Sequence, residues 1–457
     1  MSAKKNNIDM TAGNPVRAVL LFAIPMAIGS LFQALYNMTD SVIIGRYLGS
    51  EALAAVGSTA TAIHFLLMLS IGLTNAFSVV MAQYYGAKNP EMVRRSTVGI
   101  LYILLVSGAV IGLVGFFFAR PIMAALQVDP VILDDAALYL RICVGLCFGQ
   151  LAYNAVSSIL RAVGDSRTPL YFLILSAVLN IGLNVLFVAV FRMGVAGVAY
   201  ATVIAQFLSA GACVLYTWLR YPIFRFSRVD LRPDWALIGR TVKLGVSMSF
   251  QTLFTVGGDV IISARINSFG VITVSAYTAI SQTMRFASLF FSSISQAFSV
   301  YTGQNIGAAL LDRVREGFRK LYRIDLLFSA VGALAMLLFG KALIGLYLET
   351  TDPNYAAILQ QAREYQIITA VCYPFLASVW MFNQTLRGAG EAGIPVVSGL
   401  AEIFSKLGGA LFLSQFIGAM GLWLASPVGW LFGTIPSAVY YFSGRWTRHA
   451  QRFIRQS

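Results

Sequence analysis

The chain has 457 residues, of which 58% are hydrophobic and only 11% charged; its mean hydropathy is +0.74 and its formal net charge is +14. That composition excludes a water-soluble globular domain. The apolar runs are helix-length and do not alternate over ten residues, which excludes a β-barrel. The positive surplus would suit nucleic acid if it were clustered, but its placement along the chain gives a different reading.

The N-terminus, MSAKKNNIDMTAGNP, is polar, and the first apolar run is too long for the core of a cleavable signal peptide. Twelve apolar spans follow, at about 18–44, 52–84, 96–118, 134–159, 169–191, 195–219, 237–264, 273–303, 321–339, 356–383, 394–416 and 418–442. With the N-terminus inside, the outer loops hold seven basic residues: Arg46, Arg120, Arg141, Arg192, Arg265, Lys341 and Arg363. Arg285 and Lys406 fall within spans, which leaves 24 of the 33 basic residues for the inner loops and tails. Lysine and arginine favour the cytoplasmic side, so both termini are expected there, and the +14 is mostly this bias and not a nucleic-acid surface.

The first span carries the chemistry that stands out. LLFAIPMAIGSLFQALYNMTDSVIIGRYLG is apolar over a bilayer's width, yet it holds Gln33, Tyr36, Asn37, Thr39 and Asp40. An ionisable side chain in such a span costs about 2.5–3.5 kcal/mol on insertion scales, so it persists where it faces a partner, a cavity or water. The alternative is an Asp40 that lies at the outer interface near Arg46 and reaches out to water.

The arginine-rich stretch RYPIFRFSRVDLRPDW, with its two prolines, lies at the midpoint and reads as a linker (221–235) between an N-lobe (1–220) and a C-lobe (236–457). An internal repeat supports this division. NAFSVVMAQYYGA from Asn75 and QAFSVYTGQNIGA from Gln296 agree at seven of thirteen positions. LRAVGDSRTP at Leu160 matches LRGAGEAGIP at Leu386, and GVAGVAYA at Gly194 matches GAMGLWLA at Gly418. The order is kept and the offset stays between 219 and 226. Each half has an even number of spans, so the two insert the same way round. The expected fold is therefore all-α: twelve transmembrane helices in two six-helix lobes related by a parallel pseudo-two-fold repeat, with the site where the halves meet. The repeat sets Asp40 opposite Asp259, and two recurring carboxylates favour inward-facing functional groups.

These motifs carry a family resemblance. The two LR-small-small-G-acid-x-x-x-P segments, DSVIIGRYLG from Asp40 and the Q-x-x-G-A pairs at Gln83 and Gln304 resemble those of multidrug and toxic compound extrusion (MATE) transporters, over essentially the whole chain. The resemblance implies a secondary antiporter of the plasma membrane that exports amphipathic organic compounds in exchange for H⁺ or Na⁺. It also implies a cation-coupling set on spans one, five and six, which here is Asp40, Asn180, Asn184 and Thr202. Residues 180 and 184 share a helix face, and carboxylate, amide and hydroxyl oxygens are hard ligands suited to Na⁺. The span-seven and span-ten acids of some members are missing: Gln251 stands on span seven, and CYPFLASVWMFNQT has no carboxylate. Some asparagines in such spans merely tie helices together.

Gln33, Tyr36, Asn37, Asn154, Gln282, Arg285 and Asn383 are the polar residues expected to line a substrate cavity. Asp259, Glu402 and Lys406 are expected as buried charges in the C-lobe, with Lys406 opposite Asn180 at an offset of 226. No metal site beyond Na⁺ at Asp40, no resident cofactor and no enzymatic chemistry is expected. Cys143, Cys147, Cys213 and Cys372 lack histidine or carboxylate company, and there is no phosphate-binding loop. The expected partners are small organic substrates and the bilayer, with a single chain as the working unit. A lipid-linked precursor flippase of related architecture is the alternative, although it would need several cations for a pyrophosphate. The tail RWTRHAQRFIRQS reads as an amphipathic helix that lies on the membrane, with Trp446, Phe453 and Ile454 at the interface.

Overall fold

The computed structural model describes residues 7–226, 230–345 and 353–456, and every regular element among them is helical. Helix α1 (Pro15–Gly86) runs through the first two spans and is broken at Gly49, whose φ of 88° and ψ of −177° no helix contains. It is followed by α2 (Pro90–Ala125), α3 (Leu133–Gly145), α4 (Phe148–Ala162), α5 (Arg167–Asn184) and α6 (Gly194–Arg220). The second half contains α7 (Trp235–Asn267), α8 (Val271–Gly307), α9 (Leu311–Gly345), α10 (Tyr355–Val371), α11 (Tyr373–Gly388), α12 (Gly393–Gly408), the single turn α13 (Ser414–Ile417), α14 (Ala419–Phe442) and α15 (Arg445–Gln456). Eight of these are long and apolar enough to cross a membrane, or ten if α3 with α4 (bent by 45°) and α10 with α11 (bent by 47°) each make one span. Counting α1 as two, and adding the more polar α8, gives the twelve helices of the two-lobe architecture.

The bends have local causes. Pro374 stands in the first turn of α11; it has no N–H to bond back to Ala370 O and its ring would clash with that carbonyl, which ends α10 at Val371. In the first half the corresponding break follows Gly145. A π-helical stretch closes α5 at Val185–Val190, and another closes α12 at Gly409–Leu413.

The backbone repeats as the sequence does. Positive φ occurs at Gly49 and Gly270, at Lys88 and Ala309, at Gly164 and Gly390, and at Gly194 and Gly418. The acid of each LR motif explains that motif physically. Asp165 accepts from the backbone N–H groups of Arg167 and Thr168 (both 3.0 Å), and Glu391 from that of Gly393 (2.9 Å). Each thus satisfies amides that the first turn of the next helix leaves free. The register slips between these anchors. Gly164 and Gly390 are 226 residues apart, but the π-stretches begin 224 apart, because α5 has 18 residues and α12 has 16. Lys406 is therefore opposite Asn180 counted from one end and opposite Gly182 counted from the other.

The chain separates into two compact units, Pro25–Ser249 with the short stretch ending at Asp9, and Met10–Ile24 with Phe250 onward. They are called here the N-lobe and the C-lobe. The division differs from the linker at 221–235 that the composition suggested. The first half of α7 packs on the end of α1, where Gly245 meets Leu73 and the Ser249 hydroxyl reaches Leu69 O. The N-lobe core joins α1, α2 and α3 through Leu67, Ile111, Met123 and Leu140. The C-lobe core joins α7, α8, α10 and α14 through Ile262, Ile280, Tyr365 and Trp423. The tail forms the expected helix α15, but Trp446 and Phe453 are each 2% exposed and Trp446 stacks on Tyr441 at 5.6 Å. Its apolar face is spent inside the C-lobe and not on a membrane surface.

Candidate functional site

In the N-lobe, α1 presents Asp40 towards α5 and α6. Asp40 lies nine residues before the break at Gly49, about 14 Å along the helix axis. The Asn184 Nδ2 donates to Asp40 Oδ1 at 2.7 Å and also to Asn180 Oδ1 at 3.0 Å. Asn180 Nδ2 in turn donates to Thr202 Oγ1 at 3.2 Å. Both asparagines are fully buried. The four residues thus form one relay in the order Asp40, Asn184, Asn180, Thr202. A carboxylate turned to water at an outer interface would not hold this bond, so the snorkelling alternative for Asp40 is set aside.

Two polar atoms in and beside the relay have capacity left over. The Asn184 Oδ1 is buried without a hydrogen-bond partner, and so is the Tyr36 hydroxyl, although that hydroxyl stands beside Asp40 and Thr202. Buried polar atoms normally find partners, since an unmade bond costs about 1–3 kcal/mol. A carboxylate, an amide oxygen and a phenolic oxygen, all hard, are the kinds of donor a small hard cation takes.

Next to this relay, Gln33, Tyr36 and Asn154 line a cavity of about 110 Å³ with Gln150, Tyr153, Leu173, Ser176, Ala177, Gln206 and Ser209. That volume suits a few waters or an ion and is well below the roughly 300–1,000 Å³ of a drug-sized pocket. Tyr36 lines the cavity and its hydroxyl stands beside Asp40, so the polar cavity adjoins the relay. The sequence did not single out Gln150 or Gln206; neutral amides within spans resemble the polar residues that bind helices together.

The other expected cavity residues are placed differently. Asn37 is exposed and accepts from Gln33 Nε2 at 3.5 Å, outside that cavity. Gln282 is exposed on α8, and the Arg285 side chain lies outside the described residues. Asn383 is a correction. It is 3% exposed, donates to Ser398 Oγ at 3.0 Å and accepts from Ser437 Oγ at 2.6 Å. Asn383 therefore ties α11, α12 and α14 together from a buried position, not from the wall of the cavity. Gln251 is likewise engaged, accepting from the Arg387 guanidinium.

The three expected charges of the C-lobe come together. Lys406 Nζ donates to Asp259 Oδ1, and Glu402 lies one turn before Lys406 on α12, within electrostatic reach of both. Asp259 is eight residues before the end of α7 at Asn267, about 12 Å along the helix, close to the distance of Asp40 from the break in α1. In hydrogen bonding the counterpart of Lys406 is Asn184 and not Asn180, because each of these two side chains donates to the carboxylate of its lobe's first helix. A fourth acid, Asp325 on α9, went unremarked in the sequence. It is fully buried, with Oδ2 accepting from Ser295 Oγ at 3.2 Å and Oδ1 left without a partner.

Comparison with known proteins agrees with this architecture. The chain is 30% identical to the "Probable multidrug resistance protein YpnP" of Bacillus subtilis (strain 168), an alignment that covers 96% of this chain and 97% of that protein. It is 26% identical to "Probable multidrug resistance protein YoeA" of the same organism, with 93% of each covered. Its backbone superposes on a solved structure described as "Outward-facing conformation of a multidrug resistance MATE family transporter of the MOP superfamily" with a TM-score of 0.88. That superposition covers 97% of this chain and 99% of the other at 20% identity, which speaks for the fold. The MatE family model matches residues 25–186 and 247–410, one match in each half of the repeat. The chain belongs to the MatE family, the multidrug and toxic compound extrusion transporters, and is a multi-pass membrane protein and not an enzyme.

Proposed function

We propose that this transporter is an antiporter of the plasma membrane. It exports amphipathic organic compounds against the inward flow of a cation, H⁺ or Na⁺, that binds at Asp40. The observation that carries the reading is the relay from Asp40 through Asn184 and Asn180 to Thr202, with the Asn184 Oδ1 left without a partner and the Tyr36 hydroxyl beside Asp40. The names of the relatives, "Probable multidrug resistance protein", support the substrate class. The charge bias of the loops supports termini on the cytoplasmic side. The protein works as a single chain without a resident cofactor, and the coupling ion is cargo.

Coupling follows from the chemistry of the site. An empty Asp40 carries a net charge within an apolar helix bundle, which is costly; a bound cation removes that charge. The two conditions therefore favour different arrangements of α1, α5 and α6. A substrate that binds the arrangement favoured by the empty site is linked to the ion, and the link is reciprocal. The flippase alternative is weakened because Lys406 is committed to Asp259 and is not free for a pyrophosphate.

Purified protein in liposomes tests the reading. An amphipathic fluorescent cation such as ethidium should accumulate against its gradient when Na⁺ or H⁺ is imposed in the opposite direction. It should equilibrate when neither gradient is present. Uptake that ignores both gradients would reject the antiport reading.

A further inference from the structure

Lys406 is the one described lysine that the structure places in an ion pair within the apolar part of a span. Its side chain is 13% exposed and that of Asp259 is 47% exposed. A long ammonium could have turned outward along the helix, as lysines near span ends do. It is instead held inward by the packing of α14. Gly429 and Gly433 stand one turn apart on that helix. A Cβ at Gly429 would lie 2.9 Å from Lys406 Cβ, and one at Gly433 would lie 2.8 Å from Glu402 Cβ. Two glycines at this spacing form a groove that admits a close neighbour, here the stems of Glu402 and Lys406. On the other side Tyr277 stands beside the ammonium and stacks on Tyr365 at 5.7 Å, and Tyr365 stacks on Trp423 at 4.6 Å. The cluster is therefore built: one cation, two carboxylates, a glycine groove behind and an aromatic wall beside.

The two lobes share one arrangement at this place, apart from the two-residue slip. In each, a carboxylate on the first helix stands at matching depth, facing the end of a helix that closes in a π-turn. In the N-lobe the neighbour is a neutral amide, so the carboxylate's charge is left for something mobile. In the C-lobe the neighbour brings its own charge. We propose that Lys406 is a tethered cation filling a latent cation site made by Asp259 and Glu402, so that the C-lobe is held permanently in the ion-loaded condition. The C-lobe then adds no ion to the transport cycle, and removing the ammonium would create a second cation site. The comparison with Asp40 rests on the coupling reading above; the filled site itself does not.

The test works in an Asp40→Asn background, which silences the N-lobe, and reads the thermal unfolding midpoint of the full-length protein in detergent. Na⁺ or methylammonium is compared with bulky N-methylglucamine at equal ionic strength and fixed pH. Lys406→Met keeps the unbranched stem against Gly429 and removes the charge. It should lower the midpoint and make it depend on Na⁺ or methylammonium, either of which should recover most of the loss. Adding Asp259→Asn should abolish that dependence. An unchanged midpoint, a loss that neither cation repairs, or a response that survives Asp259→Asn would each overturn the proposal. If Lys406→Met alone is too unstable to purify, Lys406→Met with Asp259→Asn should be recoverable, because the unpaired carboxylate is then gone. Failure of that pair to fold would make Lys406 a packing stem and also overturn the proposal. A Na⁺ response already present in Asp40→Asn alone would count against the coupling role of Asp40. The difference made by Lys406→Met would still decide the tethered cation.

Discussion

Asp40→Asn should abolish gradient-driven export and leave the protein folded and inserted. The amide has nearly the shape of the carboxylate and can still accept from Asn184 Nδ2, which now lies at 2.7 Å from Oδ1, so the packing of α1 against α5 is preserved. What disappears is the net charge that a cation neutralises. Coupling between sites is typically about 1–3 kcal/mol, a factor of 5–150, so accumulation against a gradient should fall by roughly two orders of magnitude. Passive equilibration of the substrate should persist. Proteoliposome uptake, with gel filtration as the control for folding, measures both.

The second large effect is expected at Asn184. Its Nδ2 bridges Asp40 and Asn180, and its Oδ1 is the uncommitted buried acceptor. Asn184→Ala removes a cation ligand, removes the donor that orients Asp40, and leaves Asn180 Oδ1 without the bond it now accepts. Loss of a group that orients a ligand typically costs 10–100-fold in cation affinity. The coupling-ion concentration needed for half-maximal transport should therefore rise by about that factor. An orphaned buried acceptor should also lower stability by about 1–3 kcal/mol. Asp40→Asn should show the transport defect without this loss of stability, so unfolding midpoints of the two variants separate the roles. An Asn184→Ala protein with unaltered ion dependence would remove Asn184 from the site.

Much of this was legible in one dimension, for reasons that can be stated residue by residue. An aspartate in an apolar span is expensive, so its presence alone marks Asp40, and its recurrence at Asp259 marks a shared depth. Asn180 and Asn184 are one turn apart, which already places them on one face. The three C-lobe charges could be associated because Glu402 and Lys406 share an i,i+4 spacing and Asp259 recurs from the first half. The failures share a different cause, which is that a neighbour from a distant part of the chain cannot be read from spacing. Asn383 looked like a cavity residue because nothing in its own helix reveals Ser398 and Ser437. Trp446 and Phe453 looked like membrane anchors because an amphipathic helix has the same pattern whether its partner is lipid or protein. The pairing of Lys406 with Asn180 depended on one constant offset; the two-residue difference between α5 and α12 already moves that register to Gly182, and only the hydrogen bonds to Asp40 and Asp259 reveal Asn184 as the residue in the same role. Asp325 was overlooked because it follows Arg319, Lys320 and Arg323 and so resembles the charged end of a span.

The asymmetry between the lobes gives the architecture a mechanical sense. Both carry a carboxylate in the first helix, but only the N-lobe leaves its charge uncommitted within the relay. On the proposed coupling, a single mobile cation would suffice to switch one lobe while the other kept a fixed electrostatic state, and α1, α5 and α6 would be the elements whose packing answers to the ion.

The central claim is that one cation, held at Asp40, is exchanged for substrate, and ion release on substrate binding tests it most directly. Ethidium is titrated into detergent-purified protein while a pH indicator reports released H⁺ and a Na⁺-selective electrode reports released Na⁺. The unsubstituted protein should release close to one cation per substrate bound, and Asp40→Asn should bind substrate and release none. Undiminished release from Asp40→Asn, or substrate binding to the unsubstituted protein with no ion released, would contradict the account.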